Sequence, residues 1–199
     1  MISKIIAGIP VQQTFTYEEF VKKIEAEQST SSSFLSDEEK KLREYAKLNL
    51  QRMKRVDKTY EVSDKLKQQL LTIQKSLQWT VITEGWCGDS AQNLPAIAKI
   101  AKTNPLINLQ IIERDKNLEI MDRYLTNGTR SIPILVGSDS SDKEIFKWGP
   151  RPKEAQQLVT KLKSEGMEHD AFVEQLHLWY AKNKSKSLEE EFVNLLKNI

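Results

Sequence analysis

The sequence predicts an α/β fold in which a central mixed sheet of about four strands is flanked by helices, with further helices from both termini. Two patterns carry that expectation. First, Trp79-Thr80-Val81-Ile82-Thr83 is short, β-branched and aromatic, as in a buried strand. It runs into Ala91, Leu94, Ile97, Ala98 and Ala101 at helical spacing, and then into a second apolar run, Leu106 to Glu113. A strand, helix, strand succession implies a parallel pair joined by a right-handed crossover. Second, Ile134-Leu135-Val136, a polar turn at Ser138 to Asp142, and Glu144 to Trp148 read as a hairpin, which makes the sheet mixed.

The other elements follow in order. Thr16-Tyr17-Glu18-Glu19 fits a capping box, and Tyr17, Phe20, Val21 and Ile24 share one helical face. Gln28 to Ser33 is a serine-rich loop. Ser36-Asp37-Glu38-Glu39 opens a long helix reaching about Arg55, with Leu42, Tyr45, Ala46, Asn49 and Met53 on one face. The Arg- and Lys-rich run from Arg43 to Lys58 reads as a solvated face interleaved with Glu44 and Asp57. Ser63 caps a third helix whose stripe is Leu66, Leu70, Ile73 and Leu77. Past Leu106 to Glu113, a helix is expected over Asn117 to Leu125, with Leu118, Met121 and Leu125 inward and Asn127-Gly128 as its C-cap. Pro133 starts a strand, where a missing N–H is tolerated. Pro152 opens a helix with Ala155, Leu158, Val159 and Leu162 on one face. Two final helical patterns, one with Phe172, Val173, Leu176, Trp179 and Tyr180 and one from Ser187, read as packing elements. The division expected is a helical extension over 1–78, a core over 79–165 and a C-terminal helical extension over 166–199, packed together as one compact domain.

Composition narrows the partners. The 199 residues are 39% hydrophobic, 29% charged and 8% aromatic, with a net charge of +2 from 30 basic and 28 acidic residues. That balance argues for neither nucleic acid nor an anionic membrane surface. The apolar run within Met1 to Pro10 is too short for a secretory leader, and no later run has the length of a membrane span. His169 and His177 have no metal spacing, so no metal is expected. One cysteine, Cys87, excludes a disulfide framework and indicates a reducing, cytoplasmic location.

Cys87 lies where the strand gives way to the helix. A sulfur there meets free helix N–H groups and the positive end of the helix dipole, which favour thiolate over thiol. Gly85 and Gly88 permit a tight turn that leaves a reactive thiol partly exposed, with Trp86 shielding one side. Asp89 suits the first helical turn, yet its charge opposes a thiolate, and the sequence leaves the balance open.

The segment Trp86-Cys87-Gly88-Asp89-Ser90 resembles the Trp-Cys-Gly-Pro-Cys motif of the thioredoxin superfamily. Pro95 matches the proline that kinks the active-site helix, and Ile132-Pro133 matches the cis-proline and its strand. The resemblance runs from Trp79 to about Lys163. It is greatest to bacterial thioredoxin-like proteins with Cys-Gly-Asp-X and a Trp-Gly-Pro-Arg-Pro segment, here Trp148 to Pro152. It implies a thioredoxin-like fold, Cys87 and Ser90 at the catalytic positions, and a substrate groove formed by Trp86, Gly88, Asp89, Ile132, Pro133 and Gly149. Arg130 and Arg151 flank that groove as candidate carboxylate partners.

Two departures shape the expected chemistry. Ser90 occupies the place of the resolving cysteine, and a hydroxyl cannot expel a thiol from a mixed disulfide. Val81 stands where many relatives carry a buried acid. The resemblance therefore implies monothiol thiol-disulfide exchange at Cys87, with no bound cofactor and with glutathione or another external thiol as co-substrate. Its partners would be protein or low-molecular-weight disulfides. A non-redox module that keeps the peptide-binding groove is the alternative, and a Cys87–Cys87 dimer is disfavoured in a reducing compartment.

Overall fold

The computed structural model describes residues 5, 6 and 8–199; Met1 to Lys4 and Ala7, most of the segment read for a leader, lie outside them. A two-residue antiparallel pair, β1 (Ile5–Ile6) and β2 (Ile9–Pro10), precedes α1 (Tyr17–Ser29) and α2 (Asp37–Thr59). Both helices carry complete capping boxes, Thr16 with Glu19 and Ser36 with Glu39. α2 runs four residues past its expected end. Val56 is buried in that added turn and extends the apolar face. Ser63 caps α3 (Asp64–Leu71), which leaves Leu77 to start the next strand, not to extend the helix.

The sheet comprises β3 (Leu77–Thr83), β4 (Ile107–Glu113), β5 (Ile134–Ser138) and β6 (Glu144–Trp148) in the order β4-β3-β5-β6. β3 and β4 are parallel, joined by α4 (Gly88–Lys102), and the other two pairs are antiparallel. This is the mixed α/β sheet that the patterns predict. Phe15 pairs with Ile111 through both backbone bonds, so the preceding chain covers part of the β4 edge.

Strand alternation divides the core between the two faces. On one face Trp79, Val81, Ile111 and Leu135 pack against α1 to α4 and against α8 (Lys186–Leu195). Trp79 is fully buried and meets Phe146 and Phe192 edge-on, each at 5.7 Å. On the other face Ile82, Ile112, Ile134 and Val136 gather with Ile120, Met121, Tyr124 and Cys87. α6 (Lys153–Ser164) and α7 (His169–Asn183) form a smaller cluster through Ala155, Val159, Leu176 and Tyr180.

Three local expectations need correction. The segment after β4 holds only one helical turn, α5 (Leu118–Met121). Ile120, Met121 and Tyr124 point inward, whereas Leu118 and Leu125 are exposed. Asn127 and Gly128 both have positive φ and form a tight turn closed by the Thr126–Thr129 bridge, so they do not cap a helix. Tyr45 lies outside the buried face of α2, which runs through Ala46, Asn49, Leu50, Met53 and Val56.

Candidate active site

β3 ends beneath the loop Glu84-Gly85-Trp86, and Cys87 is the N-cap residue of α4. Its N–H donates to the Glu84 carbonyl at 3.1 Å, and its carbonyl accepts from Ala91 N–H at 3.1 Å. The N-terminal helices brace this turn. Asn49 Nδ2 donates to the Gly85 carbonyl at 3.0 Å, and a side chain at Gly85 would strike Ile24. Trp86 is half-buried, with the Arg114 guanidinium 4.7 Å from its ring centroid.

The Cys87 thiol donates to the Ile132 carbonyl at 3.3 Å, and the Ile132–Pro133 peptide is cis. Gly149 presses on the same loop. Its φ is +121°, and a Cβ there would lie 2.2 Å from the Pro133 carbonyl oxygen. The structure thus brings Trp86, Cys87, Ile132, Pro133 and Gly149 into one constellation.

The partly exposed thiol expected from the sequence is buried in the fold, and the balance that the sequence leaves open between the helix end and Asp89 falls against the thiolate. Cys87 is 8% exposed and belongs to the apolar cluster with Ile82, Ile132 and Ile134. Burial, reinforced by the Asp89 charge, pushes its thiol up to about 11. The Ser90 hydroxyl and the backbone N–H groups of Asp89 and Ser90 act the other way and are outweighed. At neutral pH the resting thiol is protonated.

Ser90 is buried and its hydroxyl shares a hydrogen bond with that of Thr83. Asp89 is also buried. Its Oδ2 is gripped by Arg151 Nη2 at 2.5 Å and Nε at 3.1 Å, and its Oδ1 accepts from the Tyr180 hydroxyl at 2.7 Å. Asn93 Nδ2 donates to both the Asp89 carbonyl and the Tyr180 oxygen. Arg151 is therefore committed to Asp89, and Arg130, paired with Asp122, is committed elsewhere. Neither guanidinium is free to receive a visiting carboxylate, because each already has an internal one.

α7 does more than pack. His177 sits so close to Gly88 that a Cβ there would come within 2.9 Å of its ring. Gln92 Nε2 donates to His177 Nδ1 at 3.0 Å, and Gln92 Oε1 accepts from Arg55; Arg52 donates to Asn49. Burial, with Arg52 and Arg55 nearby, lowers His177 to about 4, so the ring is neutral. The run read as solvated thus sends Arg52 and Arg55 to the rim of the site. Asn49, a polar residue within an apolar stripe, was the visible signal; nothing local marked His177 or Tyr180.

Glu84 is the remaining titrating group. Burial, with Asp115 and Glu113 adding to it, raises its carboxyl to about 7, while the Asp115 N–H donates to it at 2.8 Å. Among the described residues no cluster of His, Cys, Asp and Glu could hold a metal, and no helix is long and apolar enough to cross a membrane.

A lone cysteine capping the first helix after a central strand, set against an X-Pro loop on a β4-β3-β5-β6 sheet, defines a thioredoxin-like protein. The chain belongs to the thioredoxin family, whose model, described as Thioredoxin, matches residues 35–163. The match takes in α2 and α3 as well as the segment from Trp79. No curated protein matches the chain. Two solved structures share the fold at 15% identity. One is an HIV epitope-scaffold, with TM-score 0.57, covering 78% of this chain and 90% of its own. The other is a protein of unknown function from Pseudomonas aeruginosa, with TM-score 0.56, covering 92% and 98%.

Proposed function

We propose that this thioredoxin-family chain carries out monothiol thiol-disulfide exchange through Cys87. The observation that supports this reading is the placement of Cys87 Sγ at the α4 N-cap, 3.3 Å from the Ile132 carbonyl. The thiol loses its proton, and the thiolate attacks one sulfur of a protein or low-molecular-weight disulfide. A Cys87–substrate disulfide forms as the other sulfur leaves as a thiolate and takes up a proton. A second thiol, such as glutathione, attacks that mixed disulfide, restores Cys87 and departs bonded to the substrate sulfur. Ser90 cannot supply the second sulfur, so the external thiol is obligatory and a reducing, cytoplasmic setting suits the cycle.

With the thiol raised to about 11, exchange is slow at neutral pH and accelerates as pH rises. The test is intact-mass analysis of the full chain in oxidised glutathione at several pH values. One glutathione per chain, absent in Cys87→Ser and formed faster at higher pH, is expected. No adduct at any pH that preserves the fold overturns the proposal.

The burial of Cys87 favours a second reading, a partner-binding groove without turnover. The two separate on one variant. Undiminished partner capture by Cys87→Ser supports binding alone, and loss of capture supports thiol chemistry.

A further inference from the structure

Arg130 and Arg151 are taken up by internal carboxylates, but another pair of guanidiniums, Arg52 and Arg55 of α2, stands beside the thiol end of α4 without one. Arg52 is half-buried and donates through Nη1 to Asn49 Oδ1 at 2.7 Å. The same Nη1 lies 3.8 Å from where a Cβ at Gly88 would stand. Arg55 is exposed and donates to Gln92 Oε1 at 2.6 Å. Neither makes an ion pair among the described residues, and Asp89, in the first turn of α4, is already held by Arg151 and Tyr180. Burial and the nearby Arg55 charge hold Arg52 below the usual guanidinium value. Like charges kept together, one of them half out of water and with no counter-charge, cost free energy that a bound anion would offset.

His177 supplies a third donor. A guanidinium only donates, so the Gln92 amide must turn its oxygen to Arg55 and its nitrogen to His177 Nδ1, 3.0 Å away. Nδ1 of the neutral ring is then the acceptor, and the ring proton sits on Nε2. Gln92 is 3% exposed, so this tautomer is fixed from inside the fold. Nε2 lies 2.9 Å from the Cβ position at Gly88 and donates to no described residue. Gly88 directly follows Cys87 and is half-buried, so the three donors converge on the accessible side of the cysteine's own turn.

We infer that Arg52, Arg55 and His177 Nε2–H receive a carboxylate of the disulfide that Cys87 attacks, so that the chain selects small anionic disulfides over neutral and cationic ones. The inference rests on the exchange reaction proposed above and adds its substrate class, of which oxidised glutathione is a member. A planar carboxylate matches the guanidinium fork, and this part of the rim offers it donors only.

The experiment measures second-order rates of Cys87 adduct formation by intact mass at one pH and ionic strength. Oxidised glutathione, 2-hydroxyethyl disulfide and cystamine serve as the anionic, neutral and cationic disulfides, each rate being divided by that with 2-mercaptoethanol. The native chain is expected to prefer oxidised glutathione to cystamine by about tenfold or more. Arg52→Gln with Arg55→Gln should abolish that preference, and Arg52→Lys, which keeps the charge and loses the fork, should reduce it in part. A second measurement needs no reaction: Cys87→Ser is titrated with S-methylglutathione. Saturable NMR shifts at the Gly88 amide and the His177 ring are expected, absent with sodium chloride and absent when Arg52→Gln and Arg55→Gln are added. Adducts with none of the three disulfides would refute the exchange reaction and the inference with it. Adducts whose normalised rates do not follow charge, or shifts that do not saturate or that survive in the double arginine variant, overturn the inference and leave the exchange reaction standing.

Discussion

At the scale of single residues, the site is governed by competition around one sulfur. Helix amides and the Ser90 hydroxyl favour the Cys87 thiolate, but desolvation and the Asp89 carboxylate disfavour it more strongly. Asp89 is held in place by Arg151 and Tyr180, so its charge is a fixed part of the sulfur's surroundings. Removing that charge in Asp89→Asn is expected to lower the thiol below about 11. The alkylation rate of Cys87 near pH 8 should then rise by roughly tenfold for each pK unit gained. A pH series of iodoacetamide labelling measures this, and an unchanged profile would show that burial alone sets the thiol.

At the scale of elements, α7 covers the beginning of α4 by placing a neutral histidine against Gly88. His177 has its folded value depressed from 6.5 to about 4. Its contribution is therefore present above pH 6.5 and is lost as pH falls through 4, amounting to about 2–3 kcal/mol. Glu84, raised from 4.5 to about 7, acts in the opposite sense: its contribution is present below pH 4.5 and is lost as pH rises through 7. Between roughly pH 4.5 and 6.5 the two slopes oppose each other. Denaturant melts across this window should show Glu84→Gln losing stability as the solution is acidified. His177→Gln should instead lose stability as pH rises. Parallel profiles for the two variants would mean that these groups are not the ones titrating.

At the scale of the whole molecule, the terminal helices share the sheet's core. Phe192 on α8 is fully buried and packs edge-on against Trp79 at 5.7 Å and Trp148 at 5.6 Å. Truncating it removes a large ring from a close-packed aromatic cluster, so Phe192→Ala should cost about 3–5 kcal/mol. Unfolding followed by tryptophan fluorescence and by far-ultraviolet circular dichroism should show a single coincident transition shifted to lower denaturant. Loss of α8 with the sheet signal intact would show instead that the C-terminal helices fold as a separate unit.

How much of this was legible in the chain follows from how local each signal is. The caps at Thr16, Ser36 and Ser63, the β-branched run of β3 and the hairpin after Pro133 are determined by residues within a turn or a strand of one another. The sequence alone therefore specified the α/β architecture, and also the lone thiol at a strand-to-helix junction. The fate of that thiol was decided elsewhere. Its burial depends on Ile82, Ile132 and Ile134, its pairing on the Ile132 carbonyl, and the charge beside it on Arg151, from the loop between β6 and α6, and on Tyr180 of α7, both far along the chain. The cost of burying a charge and the pull of neighbouring charges depend on what surrounds a group in space, and only the tertiary structure determines those neighbours.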